Sequence, residues 1–134
     1  MRMITTLIFG ASFAGMVAAD ARADLYNETD INAGLLVVAV ADKIRRECNG
    51  ISGRLFRARG YVNSLKSMAE DRGYSQSEIE AYVNNSENKA EMRLRRNAYY
   101  KSKGASNLDH ESLCVLGYAE IREKSQVGAL LKAK

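Results

Sequence analysis

Apolar residues recur along this chain at intervals of three and four, the spacing of helices that bury one face. From Glu28 to Cys48 the positions Ala33, Val37, Val40, Ala41, Ile44 and Cys48 share one arc of a helical wheel, and between Ile31 and Ala41 the segment is apolar on every side. A helix apolar all round is enclosed by neighbours, so this one is expected at the centre of the fold. A second helix is expected from about Ser52 to Arg72, with Ile51, Leu55, Ala58, Val62, Leu65 and Ala69 as its buried stripe and Phe56 outside it. A short helix from Gln76 to Val83, a fourth from about Glu87 to Lys103 and a fifth after Asp109 follow, the last aligning Leu113, Cys114, Gly117, Tyr118 and Ile121 on one face. The tail from Gln126 to Lys134 keeps helical spacing in Val127, Leu130 and Leu131, as a continuation or a separate last turn.

Helix ends are marked by one kind of signal. Asn27 is placed to cap the first helix ahead of an acidic turn, with Tyr26 stapling onto Ile31. Gly73 ends the second helix, Ser75 and Glu78 form a capping box for the third, and Tyr74 can staple onto Ile79. Gly104 ends the fourth, Asp109 caps the fifth and Leu108 can reach Leu113. Proline, which would interrupt such a series, is absent from all 134 residues. With no repeat or linker, the expectation is an all-α domain: a compact bundle of four to five helices over residues 24–134.

The first 23 residues change the compartment. Arg2 precedes an apolar run from Met3 to Ala19, broken by Gly10 and Gly15, and Ala21 and Ala23 fit a small-residue cleavage site. The run falls short of the roughly 20 residues of a spanning helix, so a signal peptide is expected, cleaved after Ala23 or Ala21. Export to the periplasm would oxidise Cys48 and Cys114 to a disulfide worth about 4 kcal/mol on the chain-entropy model.

The apolar run Gly34-Leu35-Leu36-Val37 with Ala41-Asp42 and Ile44-Arg45, then Cys48, Leu55-Phe56-Arg57-Ala58 with Tyr61, Gly73-Tyr74-Ser75, Glu78-Ile79, and at the end Cys114, Leu116-Gly117, Ala119-Glu120-Ile121, Ser125-Gln126 and Gly128 resemble a family of small secreted alphaproteobacterial two-cysteine helical proteins. That family is catalogued as a domain of unknown function, family 5333. The resemblance implies export and a two-cysteine helical domain, and carries no activity over to any residue. It also ranks, among the alternatives, an accessory or assembly factor of a membrane respiratory complex.

Catalytic equipment is sparse. His110 and Cys114 stand one helical turn apart and would suit a thiol enzyme, but only if Cys114 were free. One His and two bridged cysteines cannot supply the ligands of a zinc site, so no metal and no cofactor are expected. Glu78 with Glu80 and Glu120 with Glu123 read as solvated faces. Phosphate-loop, haem-attachment and nucleophile-elbow motifs are missing, which points to a non-enzymatic binding or accessory protein.

The net charge of +4 favours anionic partners. Lys89, Arg93, Arg96, Tyr100 and Lys103, spaced four, three, four and three, form a stripe that could meet an envelope protein or an anionic membrane surface; the plainer reading is a solvated face. Export makes nucleic acid an unsuitable partner. Phe56 and Arg59 form a second contact patch, although such a Phe more commonly packs beneath a neighbouring helix.

Overall fold

The computed structural model describes residues 24–134; the expected leader lies outside the described residues. A 3-10 turn, Leu25–Asn27, leads into α1 (Thr29–Glu47), followed by β1 (Ile51–Gly53), α2 (Leu55–Asp71), α3 (Gln76–Asn84), α4 (Ser86–Ser102), α5 (His110–Glu123), the one-turn helix α6 (Gln126–Ala129) and β2 (Leu131–Ala133). The all-α class and the five principal helices are as the periodicity predicts. The two strands are not: Ile51, Ser52 and Gly53 pair antiparallel with Ala133, Lys132 and Leu131, so the segment expected to open the second helix and the expected helical tail form a short ribbon instead.

α1 is central, packed against α2, α4, α5, α6 and β1. Its lower half joins Val40, Ala41, Ile44 and Cys48 to Ile51, Tyr100, Leu113, Leu116, Val127, Leu130 and Leu131 in the main core. Its upper end joins Ile31 to Leu25, Ala69 and Tyr74 in a smaller one. Ala33, expected on the buried arc, is exposed.

The entry to α1 departs from the expected cap. Glu28, not Asn27, is the N-cap residue, and its side chain makes no cap bond. The turn is held from inside: the buried Asn32 amide donates to the carbonyls of Leu25 at 2.7 Å, Tyr26 at 3.3 Å and Glu28 at 2.8 Å. Leu25 therefore takes the buried place expected of Tyr26, whose ring stays outside with its hydroxyl donating to Glu91 at 2.7 Å. The other caps match their signals. Ser75 and Glu78 form the reciprocal box, Asp109 accepts from the amides of Glu111 and Ser112, and Gly73 and Gly104 end their helices at φ 90° and 76°. Leu108 is exposed and does not staple Leu113.

Cys48, at the end of α1, is bonded to Cys114 on α5, with their Cα atoms 5.2 Å apart. Beside this bridge, Glu47 accepts from Lys43 at 2.5 Å and lies 2.6 Å from His110 Nδ1.

At the opposite end Arg72 holds Glu28 and Asp30 together, with bonds of 2.8 and 2.5 Å to the two Asp30 oxygens. The Arg72 hydrogen bonds pull the Asp30 carboxyl from 3.8 down to about 2. A depressed carboxyl stabilises the fold above its unfolded value, and the contribution disappears as pH falls through the folded one. Thermal stability is therefore expected to decline between 3.8 and about 2, and Arg72→Gln is expected to flatten that part of the profile. An unchanged acid limb in the variant would contradict this.

Candidate functional site

Among the described residues the most exposed large apolar side chain, Phe56, stands in the first turn of α2. That helix packs mainly on α1 and α3, and its buried residues are Leu65 and Ala69, both in its second half. The stripe expected to run its whole length is thus uncovered at its beginning, where Leu55 is 69 % exposed and Phe56 92 %. Phe56 does not pack beneath a neighbour. Leu55 is left out because Ile51, which the wheel placed on the same stripe, leaves the helix to join β1 and enters the core from the ribbon.

Basic residues surround the two apolar side chains. The Arg54 amide donates to the Leu130 carbonyl at 2.8 Å and its Nε to that of Leu131 at 3.0 Å, while Arg57 donates to Ala129 at 3.3 Å. These bonds dock the start of α2 on α6 and β2 and leave the guanidinium charges uncompensated, since their partners are neutral carbonyls. Arg59 and Lys132 are exposed. Among the described residues no carboxylate pairs with Arg54, Arg57, Arg59 or Lys132. A shallow cleft of about 390 Å³ lies here, lined by Gly53, Arg54, Leu55, Phe56, Arg57 and Lys132, with no acid in its wall.

The expected stripe on α4 is broken. Tyr100 is fully buried and donates to the Val40 carbonyl at 2.9 Å, and burial pushes its phenol pKa up. The reason is size: a tyrosine ring on the margin of a helix face gains more by entering the core, provided its hydroxyl finds an acceptor there. Arg96 is half-buried and donates to Asn97 at 3.3 and 3.2 Å, and Lys103 lies 5.6 Å from the Tyr99 ring. Of the stripe, Lys89 and Arg93 remain exposed at one end of α4 with no partner among the described residues.

The arrangement for a thiol enzyme is absent. Cys114 is bonded to Cys48, so the nucleophile is not free, and His110 Nδ1 lies against Glu47. Among the described residues no three His, Cys, Asp or Glu side chains converge as metal ligands.

Glu120 corrects another expectation. It is only 1 % exposed, not part of a solvated face, and accepts from the Tyr99 hydroxyl at 2.6 Å and from the Ser125 hydroxyl. This carboxylate joins α4 and α5 to the cap of α6, whose amide at Gly128 bonds Ser125 at 3.0 Å. Ser125 three residues before Gly128 is the capping signal that could have revealed it.

A second opening, of about 240 Å³, runs between α1, α3 and α4 and is lined mainly by Leu35, Val38, Ala39, Val83 and Met92. The enclosure expected of α1 is therefore incomplete on this side.

Fold and surface together define a disulfide-bonded helical domain with an exposed apolar and basic tip. The chain belongs to the family of unknown function DUF5333, whose profile matches residues 23–132. No curated protein and no solved structure matches it.

Proposed function

We propose that this is an exported, non-enzymatic binding or accessory protein of the periplasm, and that it acts through the surface at the start of α2. The observation that carries this reading is the exposure of Leu55 and Phe56 beside arginines that no carboxylate among the described residues neutralises. Large apolar side chains left bare among cations serve recognition better than stability. The Cys48–Cys114 bond supports an oxidising compartment, and among the described residues no helix is long and apolar enough to cross a membrane. The bond also makes the scaffold stiff, so the tip is presented without a large ordering cost.

The test is retention of the protein on washed native envelopes. Leu55→Ser with Phe56→Ser is expected to weaken retention about tenfold or more, from the transfer free energy of two apolar side chains. Arg93→Glu with Arg96→Glu is expected to leave it unchanged. Equal retention of both variants and the unaltered chain, with helical content intact, would contradict the assignment of the surface.

A further inference from the structure

We propose that the tip formed by Leu55 and Phe56 inserts into an anionic phospholipid surface, with Arg54, Arg57, Arg59 and Lys132 meeting the headgroup phosphates. This rests on the binding-protein reading above and names the partner of that surface.

The arrangement of the apolar pair favours a plane over a groove. Leu55 and Phe56 are consecutive, so they stand about 100° apart around the helix and cannot share one lateral face. A partner groove is read by residues three and four apart, as in helix-in-groove recognition. Leu55 and Phe56, however, are the first two residues of α2. Cα–Cβ bonds tilt toward the N-terminus of a helix, so side chains of a first turn can enter one plane that the helix meets end-on.

The charges point the same way. The positive end of a helix dipole disfavours cations, yet the first turn of α2 holds no acid and carries Arg57, with Arg54 as its N-cap residue. Neutral carbonyls hold both side chains there but leave their charges unneutralised, and a layer of phosphates would supply the counter-charge. Arg54 and Arg57 are fixed at the level of the apolar pair by their bonds to the carbonyls of Leu131 and Ala129. Asp42, which lines a cleft together with Leu55, is itself paired with Arg45 at 2.6 Å and Arg46 at 2.9 Å, so it offers little repulsion to an anionic layer. Leucine and phenylalanine encircled by Arg and Lys is the composition of an interfacial anchor. An acidic protein would have to supply a pocket for a protruding ring together with carboxylates around it; a bilayer supplies both without a specific shape.

The sequence contains no tryptophan, so Phe56→Trp introduces a single one at the tip, whose emission can be excited apart from that of the seven tyrosines. The disulfide-bonded protein and its variants are mixed with phosphatidylcholine vesicles, with or without phosphatidylglycerol. The tryptophan emission is expected to shift to the blue with the anionic vesicles and to stay unchanged with the neutral ones. Binding of the unaltered chain to anionic vesicles is expected to fall about tenfold or more in Leu55→Ser with Phe56→Ser. In Arg57→Glu with Arg59→Glu it is expected to fall by a comparable factor, and it should weaken as salt is raised. Two results would overturn the proposal. One is the same emission with both vesicle types. The other is binding to native envelopes that depends on Phe56 while anionic vesicles bind nothing, which would assign the tip to an acidic protein and leave the binding-protein reading standing. Loss of both kinds of binding would remove that reading as well.

Discussion

Serine at both Cys48 and Cys114 is expected to lower stability by about 4 kcal/mol on the chain-entropy model. The bridge joins residues 66 positions apart, so its loss returns a long loop's freedom to the unfolded chain. A domain of this size has only about 5 to 15 kcal/mol to lose. The effect should be local as well as global, because Cys48 stands at the exit of α1, immediately before the turn into β1. That turn carries the Ile51–Gly53 strand and, through Arg54, the exposed start of α2. Urea unfolding of the double-serine variant and of the reduced unaltered protein should give matching losses, and amide exchange in β1 should rise before that in α2. A loss below about 1 kcal/mol would mean that the bridge constrains little, since the entropic term alone predicts several times more.

Gly128→Ala is expected to cost about 3 kcal/mol or more, at the upper end of overpacking effects. A Cβ at this position would stand 1.9 Å from the Glu120 carbonyl oxygen, 2.3 Å from its carbon and 2.8 Å from the Ile121 nitrogen. These are backbone atoms of α5 and cannot turn aside, so α6 would have to lift away from α5. The lift would strain the Ser125 cap, the buried Glu120 cluster and the seats of Val127, Leu130 and Leu131 in the core. Gly34 gives a useful contrast, because the atoms crowding it belong to the Leu65 side chain, which can rotate. At Gly60, in the exposed part of α2, a Cβ meets nothing within 4 Å, so Gly60→Ala should stabilise by about 0.5 to 1 kcal/mol through helix propensity. Thermal melts of the three variants should rank Gly128→Ala far below the other two. A Gly128→Ala protein as stable as Gly60→Ala would contradict the close approach of α6 to α5.

The helices were legible in the sequence because local signals and periodicity act together within each segment. Ser75 with Glu78, Asp109, Gly73 and Gly104 all mark the ends their chemistry predicts. The cysteine pair was legible through its inward-facing positions and the expected compartment. What periodicity could not reveal depends on distant parts of the chain. The Ile51–Gly53 strand exists only because Leu131–Ala133 comes back beside it, and each segment alone looks like a helix end. That pairing takes Ile51 out of the stripe of α2 and leaves Leu55 bare, so the candidate surface was only half visible as Phe56 and Arg59.

Two side chains moved in the opposite sense. Tyr100, read as part of a surface stripe, is buried because Val40 offers a carbonyl inside. Glu120, read as solvated, is buried because Tyr99 and Ser125 supply donors from two other elements. A helical wheel records where a residue lies on its own helix but not which polar partner waits across the interface. Buried polar groups are therefore where such a reading fails first.

The proposal of an exported, disulfide-closed binding domain is tested most directly by the intact mass of the native protein. The protein is recovered with thiols blocked before lysis and compared with a reduced sample. A mass beginning at Asp24, two hydrogens below that of the reduced chain and free of blocking label, is the predicted result. A labelled Cys114, or a chain still carrying its first 23 residues, would contradict it.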